Sequence, residues 1–244
     1  MLEKLIKSKQ RVQKHGEVFT PNWMVENMLD APGIKEACND LHKTFLEPAA
    51  GEGNFLMAIL RRKLMMVRQK YNDSLKQYEN FSLFALSTIY GIELLEDNTQ
   101  VCVMNIFEVF KEAYMVVVKE HNGKMNLDVL NSAKVIISAN IAQGDFLTKE
   151  TLDKKPIVFS DWKIVNDLRS NSQVIKVLRT EHTLKEIVDG NVKEDGNVYT
   201  PKERIQQLSI FDLLEEESDE IEEVKGTFTV VPITKVYKEE IYYD

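Results

Sequence analysis

Two glycines, Gly51 and Gly53, lie between a short apolar run (Thr44 to Leu46, ending in Glu47-Pro48) and a helical pattern that opens at Asn54. A glycine turn from strand to helix lets backbone N–H groups close on a ligand, because no side chain stands in the way. A dinucleotide fingerprint would need a third glycine where Leu56 stands. An ordinary tight turn is the plain alternative. Further on, Glu93 ends an apolar run from about Ser87 to Ile92, where a carboxylate can accept from ribose hydroxyls. Asp145-Phe146 follows Gly144 and sets an acid beside an aromatic, a pair able to bind an adenine amino group and cover its face. The alternative there is a turn with Phe146 in the core. Asp161-Trp162 ends a fourth short run, Ile157 to Ser160. Phe19 and Thr20 precede Pro21 in a loop that either lines a pocket or staples the next helix.

These groups need elements to hold them. Residues 1–15 read as a helix with Leu2, Leu5 and Ile6 on one side. Thr20 before Pro21 is a good helix start, and Trp23, Val25, Met28 and Leu29 give that helix an apolar face. A short helix follows Pro32-Gly33. The helix after Gly53 carries Phe55, Leu56, Ile59, Leu60, Leu64 and Val67 at helical spacing and frays between Lys70 and Asn80. Asp97 to Val118 is helical again. Ala133 to Ala139, rich in β-branched residues, is expected as a third strand. Val174 to Leu178 and Leu184 to Val188 read as helical pieces, and the tail from Thr227 to Tyr237 reads as an extended edge segment around Pro232. The echo of Gly16 to Pro21 in Gly196 to Pro201 is chance or a reused helix start.

At 244 residues the chain can bury one α/β core with appendages. No run is long enough to span a bilayer, the basic start is unlike a secretory leader, and Cys38 and Cys102 form no motif, so a cytoplasmic setting is expected. Four scattered histidines give no metal spacing. The net charge is −8, and the eight acidic residues between Asp212 and Glu223 account for all of it. Elsewhere Lys4, Lys7, Lys9, Arg11 and Lys14 cluster, as do Arg61, Arg62, Lys63, Arg68 and Lys70. Either cluster is suited to face phosphates, and the second reads equally as a solvated helix face.

Strand, glycine turn, helix, strand, acid, helix, strand and Asp-Phe describe an α/β domain that binds an adenosyl group. The segments GEVFTP, EPAAGEGNF, YGIELLEDN and NIAQGDF, spread in order over Gly16 to Leu147, resemble the cofactor motifs of bacterial N6-adenine DNA methyltransferases of restriction-modification systems. The resemblance implies a doubly wound, mostly parallel sheet of the S-adenosylmethionine-dependent methyltransferase type. It divides the chain into a helical N-terminal segment (1–43), a cofactor-binding core (44–190) and a poorly ordered acidic C-terminal extension (191–244). It further implies that Phe19, Thr20 and Pro21 flank the methionine part of S-adenosyl-L-methionine. Glu47, Pro48, Ala49, Gly51 and Gly53 would surround it, Glu93 would bind the ribose, Leu94 would pack on the adenine, and Asp145 and Phe146 would contact the adenine amino group and ring.

The resemblance breaks at the catalytic motif. Family members carry a polar residue, two prolines and an aromatic after the fourth strand, where a flipped adenine is held. None of the six prolines here is adjacent to another. Asp161 and Trp162 either substitute for that motif, or the site is silent, or another chain supplies it. Roughly 80 residues follow Trp162, few for a target-recognition region, so reading of DNA is expected to need a specificity partner. Finally, Gln207, Leu208, Ile210 and Phe211 in QLSIF resemble the peptides that dock bacterial DNA-processing proteins on the sliding clamp. An amphipathic helix end is the alternative.

Overall fold

The computed structural model describes residues 6–169, 172–192, 198–199, 223–224 and 226–243. Three helices lead in: α1 (Lys9–His15), α2 (Asn22–Leu29) and α3 (Ile34–Cys38). Ser8 caps α1 by accepting from Arg11 N at 3.2 Å. Pro21, rather than Thr20, holds the cap position of α2, and no side chain caps that helix. Proline fits there because its missing N–H is one the helix could not have satisfied.

The first strand, β1 (Phe45–Glu47), turns through the glycines into α4 (Asn54–Lys70). The apolar face of α4 contains one lysine. Lys63 is fully buried and donates at 2.8 Å to the carbonyls of both Asp40 and Lys43, so it ties the α3–β1 connection to the helix. The frayed end expected between Lys70 and Asn80 is instead a break between helices. The Ser74 hydroxyl accepts from Gln77 N at 3.1 Å and starts α5 (Leu75–Ser87).

After α5 come β2 (Ile89–Glu93), α6 (Glu96–Glu120), α7 (Leu127–Asn140) and β3 (Ile141–Gln143). Ala133 to Ala139, expected as a strand, is the second half of α7. Val129, Leu130, Ala133, Ile136 and Ile137 recur at helical spacing and are all buried, and Asn126 caps the first turn by accepting from Asp128 N at 3.0 Å. The strand begins only after that pattern ends. β1, β2 and β3 form a three-stranded parallel sheet in that order, with Glu47 opposite Gly91 and Glu93 opposite Gln143. Their carboxyl ends therefore share one side.

Beyond β3 the pairing changes sense. β4 (Val158–Ile164) does not extend the parallel sheet; it pairs antiparallel with β5 (Lys176–Thr183). Val174 to Leu178, expected as helical, thus leads into a strand. The alternation in β5 is masked because charged residues occupy inward positions. Arg179 is buried, and donates to Ser160 Oγ at 2.7 Å, Glu181 at 2.7 Å and Glu239 at 2.6 Å. Buried charges are tolerated when paired in this way. Helix α8 (Leu184–Asp189) follows, capped by the reciprocal pair Thr183 and Glu186. The remaining strands are short: β6 (Val198–Tyr199), β7 (Glu223–Val224), β8 (Gly226–Phe228), β9 (Val231–Pro232) and β10 (Ile241–Tyr243), with a 3-10 helix at Ile233–Lys238. Of the segment from Thr227 to Tyr237, expected as extended, β8 and β9 are strands and the rest from Ile233 on is the 3-10 helix.

The architecture is mixed α/β. One hydrophobic cluster runs from Val25 and Leu29 through α4 to α7 and on to Ile233 and Val236. A smaller one, Ile92, Ala142, Ile157, Phe159 and Leu184, joins the parallel sheet to the β4–β5 hairpin.

Candidate functional site

The glycine turn is fastened from below and behind. Ala50 N donates to Ile92 O at 2.8 Å, and Gly53 N donates back to Ala50 O at 2.8 Å. Gly51 and Gly53 have φ of 56° and 92°, in the left-handed region that favours glycine. Gly51 N then donates to Glu93 Oε2 at 2.7 Å, which draws the turn after β1 onto the acid that ends β2. Glu93 is buried, and its other oxygen accepts from Leu95 N at 3.0 Å and Asn98 Nδ2 at 3.4 Å. A carboxylate offers about four lone-pair positions, so these three donors leave room for one more.

The N-terminal loop roofs the turn. A Cβ on Gly51 would sit 3.4 Å from the Phe19 ring, and Asn54 Nδ2 donates to Thr20 O at 3.0 Å. Pro48, Ala49 and Leu94 are exposed along the rim. Glu47 accepts from Ala49 N at 3.2 Å, and burial raises its carboxyl above the ordinary range. Behind the turn, Cys102 is buried and its thiol is pushed up to about 12 by burial, with the Glu93 charge adding to the effect. It is a packing group, not a nucleophile.

Gly144 N donates to Glu93 O at 2.9 Å, which carries the chain from β3 directly to Asp145. Asp145 Oδ1 accepts from Leu147 N at 2.8 Å and shapes the turn, while Phe146 packs on the smaller cluster beside Tyr90. Phe19 and Glu93 thus meet at Gly51, with Thr20 and Gly53 held beside them through Asn54 and Ala50, and Asp145 and Phe146 follow one strand over. Sequence reading missed three supports. A Cβ on Gly91 would lie 2.7 Å from Leu56 Cδ1, one on Gly144 would lie 2.7 Å from both Glu150 O and Ile157 Cδ1, and Asn54 holds the roof. Only the glycines left a trace in the sequence.

Asp161 and Trp162 lie inside β4 rather than at its end. Neighbouring strand residues point to opposite faces. Trp162 turns inward, 4% exposed, and its Nε1 donates to Asn140 Oδ1 at 3.0 Å. The Arg179 guanidinium stands 5.2 Å from its ring. The indole is a core group with no open face for a base. Asp161 is exposed, opposite Thr180.

The basic clusters are neutralised in part within the fold, and Lys4 lies outside the described residues. Lys63 is buried, Arg62 pairs with Glu26 and Asp30, Arg68 with Glu120, and Lys7 and Arg11 with Asp97. The segment from Gln207 to Phe211 expected to dock, with Leu208 and Ile210, lies outside the described residues, as does nearly all of the acidic run. Among the described residues no His, Cys, Asp or Glu group is arranged to hold a metal ion, and no helix is long and apolar enough to cross a membrane. No family model, curated protein or solved structure matches the chain.

Proposed function

We propose that this chain binds S-adenosyl-L-methionine and serves in methylation of adenine N6 in DNA. The observation that carries the reading is the 2.7 Å bond from Gly51 N to Glu93. It joins a glycine turn after the first parallel strand to a carboxylate at the end of the second, with Asp145-Phe146 after the third. Such a layout fits one half of a doubly wound nucleotide-binding sheet. In this reading Glu93 accepts from a ribose hydroxyl, Leu94 and Phe146 flank the adenine and Asp145 accepts from its amino group. Phe19 to Pro21 and Glu47 to Gly53 enclose the methionine end. Gln143, in register with Glu93, buries its Nε2 without a partner, and an unsatisfied buried donor at a strand end fits a site that receives a polar ligand. The cofactor supplies the methyl group; the chain binds and orients it. Cytoplasmic location, a DNA-reading partner and sliding-clamp docking through QLSIF belong to the same proposal.

A second reading has its own observation. Since Trp162 is a core residue bonded to Asn140, the pair Asp161-Trp162 is a poor holder of a flipped adenine. A cofactor-binding partner without transfer of its own, or one completed by another chain, accounts for that placement. Calorimetric titration with S-adenosylmethionine tests the shared claim. Wild type should bind, and Glu93→Ala and Gly51→Trp should lose binding; no heat with wild type would sink both readings. Labelled methyl incorporation into mixed-sequence DNA then separates an active enzyme from a silent partner.

A further inference from the structure

Besides Phe19 over Gly51, Thr20 on Asn54 and Lys7 on Glu52, the N-terminal segment reaches the candidate site through Asn98. Asn98, in the first turn of α6, is 1% exposed and uses both ends of its carboxamide. Its Nδ2 donates to Glu17 Oε1 at 2.8 Å and to Glu93 Oε1 at 3.4 Å. Its Oδ1 accepts from Lys7 Nζ at 2.5 Å and from Arg11 at 3.4 Å. Two carboxylates on one side and two cations on the other fix which way the amide points.

The partners are themselves tied to the site. Lys7 pairs with Glu52, between the two glycines, at 3.0 Å and with Asp97 at 3.1 Å. Arg11 bridges Glu17 and Asp97 and holds both carboxyls below their ordinary range, Asp97 at about 2. Exposed pairs such as Lys7 with Asp97 contribute little. The Asn98–Glu17 bond differs, because the Glu17 side chain is only 6% exposed and a buried polar link is costly to leave half-made. Two residues past Glu17, Phe19 covers Gly51.

We propose that Asn98 is a positioning residue that locks the roof, residues 16–21, to Glu93, so that nucleoside binding and docking of the N-terminal segment are one coupled event. The inference rests on the reading of Glu93 as the ribose acceptor. Asn98→Asp tests it, because the exchange is isosteric, suits the start of a helix and turns an acceptor toward both carboxylates. S-adenosylhomocysteine affinity should fall about tenfold, as loss of a hydrogen bond to a charged group requires. Trypsin should cut faster after Arg11 and Lys14, while the thermal midpoint moves little. Adding Glu17→Gln exchanges donor and acceptor on the roof side, though not at Glu93, and should restore protection and part of the affinity, which a general loss of fold would not permit. Wild-type binding with equal affinity and equal cleavage in Asn98→Asp overturns the coupling alone. Absence of wild-type binding overturns the cofactor reading and the coupling with it. If Asn98→Asp does not fold, failure of the double variant to recover binding overturns the coupling.

Discussion

Gly53→Ala separates two costs that the glycine turn avoids. The first is backbone strain. Gly53 has φ of 92°, and a left-handed conformation costs a residue with a Cβ about 1–2 kcal/mol. The second is space, since the new Cβ would lie 2.9 Å from Cys102 Sγ, against 3.6 Å and 3.7 Å from Cys102 Cα and Cβ. Cys102 is fully buried and cannot swing aside; overpacking of this kind costs about 1–3 kcal/mol. The single variant should therefore lose about 2–5 kcal/mol, a large share of the 5–15 kcal/mol typical of a domain. Cys102→Ala removes only the sulfur, and the remaining distances are ordinary contacts. In the double variant the strain should persist and the clash should vanish, leaving a favourable coupling of about 1–3 kcal/mol. Urea unfolding of all four proteins, with the slope checked for constancy, measures each part. A Gly53→Ala cost below about 0.5 kcal/mol, or strictly additive effects, would refute the reasoning.

Two further outcomes follow from buried polar groups. Burial lowers the Lys63 ammonium from 10.5 to about 8, so between those values the unfolded chain holds a proton that the folded chain has released. Stability then rises with pH across that window, and the advantage of wild type over Lys63→Met should grow by up to about 3 kcal/mol between pH 8 and 10.5; a pH-independent gap in paired urea titrations would contradict this. Trp162→Phe leaves Asn140 Oδ1 unpaired and should cost about 1–3 kcal/mol without changing cofactor affinity. The exposed Asp161→Ala should fall within about 0.5 kcal/mol of wild type, and a large loss of cofactor binding in either variant would place the β4 pair nearer the site than its geometry does.

The glycine turn and its carboxylate were legible because each has a local cause. Gly51 and Gly53 interrupt an apolar run, a helical pattern opens at once, and Glu93 ends the next run. Ala133 to Ala139 misled for an equally local reason. Val135, Ile136 and Ile137 favour a strand over a short window, and only the longer spacing back to Val129 and Leu130 exposes the helix. β5 was hidden by Arg179 and Glu181, buried charges that satisfy one another and read as surface in isolation. Trp162 could not be placed at all from its neighbours, since the group that decides its position is Asn140, on another element. Asn98 was silent likewise, because its meaning lies in four partners, three of them from residues 7–17, some eighty positions earlier.

The large cluster that includes Val25 and Val236 also bears on how the molecule loses its structure. Ile233 and Val236 are almost wholly buried in that cluster. Opening at either end exposes the same interior, so the described part should melt as a single cooperative unit rather than segment by segment. Loss of the late 3-10 helix would then loosen the glycine turn through the cluster they share.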